Sequence, residues 1–134
     1  VFAQRYAHNL EKWKQLKVDT QEQVIGRTKL ESIELDDEIK PENSHVARTV
    51  VEDDEGEEME ILRHSLPYGD GKGEQGLFFV AYTNDLNIID AMLQRMFGTA
   101  GDGIHDRLLH FTTAVDGAYY FAPSDELLEE ILAV

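Results

Sequence analysis

One run limits this chain more than any other: Leu77-Phe78-Phe79-Val80-Ala81-Tyr82 is apolar at every position. Side chains on a strand alternate between two faces, so such a run must be covered on both sides and predicts a central strand. The rest of the chain has to supply its neighbours. Val1 to Tyr6 alternates and predicts a strand ending near His8-Asn9. Val46–Val51 and Glu58–Arg63 alternate around Asp53-Asp54-Glu55-Gly56-Glu57, which predicts a hairpin. Ala118–Ala122 predicts the last strand.

Helical signals fall between these strands. Asn9 is placed to cap a short helix carrying Leu10, Trp13 and Leu16. Thr20-Gln21-Glu22-Gln23 reads as a capping box for a second turn closed by Gly26. Asn84 or Asp85 starts the clearest helix, with Ile89, Met92, Leu93 and Met96 on one stripe and Gly98 as its stop. A short helix is expected around Asp106–Phe111, and Pro123-Ser124 opens a terminal one with Leu127, Leu128, Ile131 and Leu132. Without the extra hairpin strand the order is β-α-β-β-α-β. The expected fold class is therefore α+β, a ferredoxin-like antiparallel sheet with helices on one face.

At 134 residues, 42% of them hydrophobic, the chain suits one domain with a real core. Twelve Lys and Arg against 27 Asp and Glu leave a net charge of −15, which repels phosphate backbones and anionic lipid. No nucleic acid and no membrane are the expectations. The absence of cysteine removes disulfides, zinc–thiolate sites and thiol catalysis. The chain starts in strand-like alternation with no Met or leader ahead of Val1, so it is read as a piece of something longer.

Residues 31 to 60 hold 13 of the 27 acids. A calcium loop needs Gly in sixth place, whereas Gly56 is fourth from Asp53, so a solvated loop and hairpin tip is the better reading. Gly69–Gly73 lacks the spacing of a phosphate-binding loop and is read as a turn. The serines have no nucleophile-elbow context. No HxxxH spacing exists, and a zinc site would need three or four histidines to converge.

Two residues are harder to dismiss. Arg63 shares its strand face with Met59 and Ile61, on the core side. A cation there is costly unless an anion meets it. Either the strand is an edge or Arg63 pairs with an acid of this chain, or the guanidinium points into a pocket. His45 follows a long irregular stretch and precedes an element, where a histidine is either a hydrogen-bonded cap or a ligand. A lone histidine suffices as protein ligand for haem, because the porphyrin supplies the other four nitrogens.

In series, VFAQRYAHNL at the start, VIGRTK at Val24–Lys29, SHVART at Ser44–Thr49, ILRHSLPYG at Ile61–Gly69, GLFFVAY at Gly76–Tyr82 and YYFAPS at Tyr119–Ser124 resemble the C-terminal half of DyP-type (dye-decolorizing) haem peroxidases. The likeness is nearest to their bacterial, YfeX-like branch and covers nearly the whole chain. It implies that residues 1–134 are the second ferredoxin-like half of a dimeric α/β barrel, with one haem b per chain held mainly by this half. It implies His45 as the iron ligand, Asp106 as acceptor of the His45 ring N–H, and Arg63 as the distal cation. Ser65 falls at a distal polar position, Leu77 and Phe79 on a dry distal wall, and Arg27 near a haem propionate.

The implied activity is reduction of hydrogen peroxide with oxidation of an organic electron donor, Trp13, Tyr119 and Tyr120 being candidate relays. A homo-oligomer and, by analogy, a cytoplasmic location are expected. The family's GxxDG motif, with its distal aspartate, has no match in this chain, so the isolated piece is expected to be weakened or inactive. The contrasting expectation is a cofactor-free acidic interaction or dimerisation module. That reading requires Arg63 in a surface ion pair and side chains filling the space between His45 and Arg63.

Overall fold

The structure, a computed structural model, describes residues 1–69 and 73–133. The strands are β1 (Phe2–His8), β2 (Leu62–Gly69), β3 (Gln75–Tyr82) and β4 (Thr112–Tyr119), paired antiparallel in the order β2-β3-β1-β4. The run apolar at every position lies in β3, which is central with a strand on either side, but its faces are not both covered, since Phe78 and Tyr82 are exposed. Helices α1 (Leu10–Lys14), α2 (Val18–Ile25) and α3 (His45–Thr49) join β1 to β2. Helix α4 (Leu86–Phe97) and a 3-10 turn (Arg107–His110) join β3 to β4, and α5 (Asp125–Leu132) ends the chain. This is the ferredoxin-like arrangement.

Helix α4 begins at Asp85, whose side chain accepts from the Asn87 N–H at 2.9 Å, and ends at Gly98 in the left-handed conformation. Its stripe packs on the sheet. Ile89 meets Phe2 and Ala81, while Ile88 and Met92 meet Val51. Burying a side chain of this size stabilises the fold by about 1.5–3 kcal/mol. Surface pairs such as Arg5–Asp116 contribute about 0–1 kcal/mol each. Apolar packing therefore seats α4.

The sheet's other face is open. Leu62 pairs with Tyr82 and Leu66 with Phe78, and all four are exposed. Helix α5, capped by Ser124, buries none of its residues.

Four predicted elements are corrected. Val46–Val51 is not a strand: residues 45–49 form α3, because Ser44 caps it (accepting from the Ala47 N–H) and the Thr49 hydroxyl donates back to the His45 carbonyl at 3.0 Å. Five residues are too few to tell period 2 from period 3.6. The turn at residues 53–57 exists, with the Asp53 side chain accepting from the Glu55 and Glu57 N–H groups, but its flanks pair only at Glu52–Glu58 and β2 starts at Leu62. Thr20–Gln23 is not a cap; α2 starts at Val18, and Gln21 is buried with its amide donating to the Trp13 carbonyl. The last strand runs over residues 112–119 rather than 118–122, its polar and glycine residues hiding it from a hydrophobic reading. The turn reading of Gly69–Gly73 falls mostly outside the described residues.

Candidate active site

Ser44 and His45 stand where the long irregular stretch enters α3, and a close backbone approach puts them there. Gly26 ends α2 at φ +90°, and a β-carbon on it would lie 2.9 Å from the Ser44 hydroxyl and 3.0 Å from the Val46 β-carbon. Only glycine meets both demands. Ser44 is fully buried, and the corner it makes turns His45 inward.

The imidazole is then held by a carboxylate. Asp106, 0% exposed, takes the His45 Nδ1–H at 2.6 Å on one oxygen and the Leu108 N–H at 2.8 Å on the other. Both oxygens accept, so Nδ1 is the donor and Nε2 is the ring nitrogen not engaged by Asp106. The Asp106 backbone is tied in turn, its N–H donating to the Met96 carbonyl at 2.8 Å. Tyr6, buried beside this carboxylate, has its phenol pushed up to about 12 by burial and by the Asp106 charge. It stays neutral.

Helix α3 is anchored on α4 by two arginines that sequence reasoning missed. Arg48, 2% exposed, donates from Nε to the Arg95 carbonyl at 3.0 Å and from Nη2 to Asp102 at 2.7 Å. Arg95 reciprocates, donating to the Ala47 carbonyl at 2.9 Å and to the Arg48 carbonyl. The Ile104 N–H and the Arg48 guanidinium hold the Asp102 carboxyl below the usual range. The available signal was an arginine three residues after His45 among apolar neighbours.

His45, Arg63, Ser65, Leu77, Phe79 and Arg27 all line one cavity of about 260 Å³, together with Phe2, Tyr6, Met92 and Met96. The strand register explains the far wall: Ser65 lies opposite Phe79 and Arg63 opposite Ala81, on the face toward the helices. Asp106 stands behind His45 rather than on the wall. Arg63 makes no hydrogen bond or ion pair among the described residues, and its residue as a whole is exposed. Arg27 is engaged, donating to the Ser32 carbonyl at 2.8 Å and to Glu34 at 3.2 Å.

The donor set suits a porphyrin iron. One imidazole with a fixed tautomer faces an apolar hollow, and no group of three or more His, Asp or Glu able to hold a bare ion exists among the described residues. No helix among the described residues is long and apolar enough to cross a membrane.

Residues 1–127 match the family model described as Dyp-type peroxidase, C-terminal. The chain belongs to the Dyp-type peroxidase C-terminal family. It is 47% identical over 130 residues to a dye-decolorizing peroxidase of Mycobacterium tuberculosis, covering 96% of this chain and 39% of that protein. Among solved structures, DyPB from Rhodococcus jostii RHA1 superposes with a TM-score of 0.91 at 43% identity, over 96% of this chain and 42% of that one. Several R. jostii DypB variants are solved in complex with heme. The encapsulated DyP-type peroxidase from Mycobacterium smegmatis matches at 47% identity with a TM-score of 0.82, over 87% of this chain and 38% of that one. This DyP-type chain thus spans about two fifths of the length of the relatives it matches.

Proposed function

We propose that residues 1–134 are the C-terminal, haem-binding half of a peroxidase that reduces hydrogen peroxide while oxidising an organic electron donor. The observation that carries this reading is the shared cavity: His45, backed by a buried carboxylate, and Arg63, with no anionic partner among the described residues, line the same apolar hollow. When bound, haem b supplies the redox-active iron at which peroxide is reduced.

The chain's own groups have separable tasks. His45 would hold the iron through Nε2 while Asp106 accepts a hydrogen bond from the Nδ1–H, which would make the imidazole a stronger donor. Arg63 stabilises the negative charge that develops on the departing oxygen, an effect magnified by the dry wall of Leu77 and Phe79. Ser65 adds a hydroxyl on the same side, and Arg27, which also donates to Glu34, lies near a haem propionate in this reading. Among the described residues no carboxylate lines this cavity, and in this reading the proton shuttle is supplied by an N-terminal half. Activity then belongs to the assembled protein, with an N-terminal half supplying the remaining wall. The YfeX-like branch, a homo-oligomeric state and a cytoplasmic location are part of this proposal.

The contrasting acidic-module reading needed a paired Arg63 and a filled space. Neither holds among the described residues. Haem titration decides the matter: we expect a Soret band on reconstitution of the protein carrying this domain, and its loss in His45→Ala. Arg63→Ala should retain haem and cleave peroxide about 10²-fold more slowly. Normal haem content without His45, or an unchanged rate without Arg63, contradicts the assignment.

A further inference from the structure

The 3-10 turn that presents Asp106 inward carries a second pair of ligating side chains on its outer side. His105 and His110 are both exposed. They lie five residues apart, and their Nε2 atoms approach to 2.9 Å. The rings are 5.1 Å apart and tilted by 42°. We propose that these two imidazoles form a surface chelate for a tetragonal divalent transition-metal ion, copper(II) or nickel(II).

The separation of the two nitrogens selects the metal class. Metal–nitrogen bonds of about 2.0–2.1 Å meeting at a right angle place their nitrogens about 2.9 Å apart, whereas a tetrahedral angle needs about 3.4 Å. The pair therefore has the bite of cis neighbours in a tetragonal or octahedral site, and imidazole nitrogen favours copper(II) and nickel(II) there. Without an ion the contact is satisfied by one shared proton, N–H···N. An ion takes that proton's place between the two Nε2 atoms, and the proton moves to Nδ1 of its own ring, so both histidines bind as neutral imidazoles. Imidazole also disfavours calcium and magnesium, which take oxygen ligands. No third His, Asp or Glu joins the pair among the described residues, so water completes the coordination.

Both ligands are held in place beforehand. A β-carbon on Gly98 would lie 3.0 Å from the His105 β-carbon, so the bare glycine lets residues 104–106 run across the end of α4. The Asp106 N–H is bonded to the Met96 carbonyl at 2.8 Å. At the other end the Lys12 ammonium donates to the His110 carbonyl at 3.1 Å, and the Phe111 N–H to the Leu108 carbonyl at 2.9 Å. The backbone beneath both imidazoles is therefore fixed before binding, which lowers the ordering cost. The net charge of −15 raises the local concentration of cations.

This site is independent of the haem reading, and so is its test. Copper(II) chloride is titrated calorimetrically into the chain, and the 1:1 complex is examined by electron paramagnetic resonance. We expect one strong site, hyperfine splitting from two equatorial nitrogens, and tighter binding of copper than of nickel or zinc. His105→Asn and His110→Asn should each lower copper affinity by about 10²-fold through loss of chelation. His64→Asn, in strand β2, should leave it unchanged. A strong site that persists in the His105→Asn/His110→Asn double variant overturns the proposal. So does a nitrogen count other than two, or no strong site in the unaltered chain. The resonance spectrum needs no variant, so a substitution that fails to fold does not remove the test.

Discussion

Asp106 has no spare capacity. It is fully buried, and its two oxygens accept from an imidazole N–H and a backbone N–H. Asp106→Asn keeps the shape but replaces a charged acceptor by an amide whose NH2 is met only if His45 moves its proton from Nδ1 to Nε2. We expect a loss of about 1–3 kcal/mol in the stability of this chain, read as a lower urea midpoint. A midpoint equal to that of the unaltered chain would mean that the carboxylate does not organise this corner. The example also shows what could be read from residues. Arg63 on the same strand face as Met59 and Ile61 is legible from alternation, and the structure answers it with the first alternative, an edge strand that leaves Arg63 exposed while it borders the cavity. The residues that restrain α3 are not anomalies in one dimension. Arg48 is an ordinary arginine until its guanidinium is seen bridging the Arg95 carbonyl and Asp102.

Long elements with caps and stripes were legible, and short ones were not. Helix α4 shows its cap, its stripe and its glycine stop in twelve residues. Helix α3 has five, and its apolar pattern fits either period; Ser44 and contact with α4 decide the matter. The junction of α2 and α3 depends on Gly26, where a positive φ coincides with van der Waals contact to Ser44. Gly26→Ala should cost about 2 kcal/mol or more, from the left-handed backbone together with the clash. Thermal unfolding checks this, and an unchanged midpoint would show that the two segments can separate without penalty. The same junction carries His45, so the substitution should also weaken haem retention in the assembled protein.

At the scale of the molecule the decisive feature is a sheet covered on one side only. Leu62–Tyr82 and Leu66–Phe78 are cross-strand pairs on the open face with His64–Val80 between them, and exposed apolar groups of this kind promote association. We expect this chain alone to self-associate as its concentration rises, and Leu66→Lys together with Phe78→Lys to return it to a monomer. Sedimentation velocity distinguishes the outcomes, and a monomer at every concentration would contradict the expectation. By itself the sequence determined the α+β order, the central strand, the main helix and the oddity of Arg63, because periodicity and charge are properties of neighbours along the chain. Only the tertiary structure decided that α3 is a helix, that Arg48 and Arg95 interlock, and that His45 and Arg63 border one hollow. Those depend on contacts between segments far apart in sequence, whose energies no local window contains.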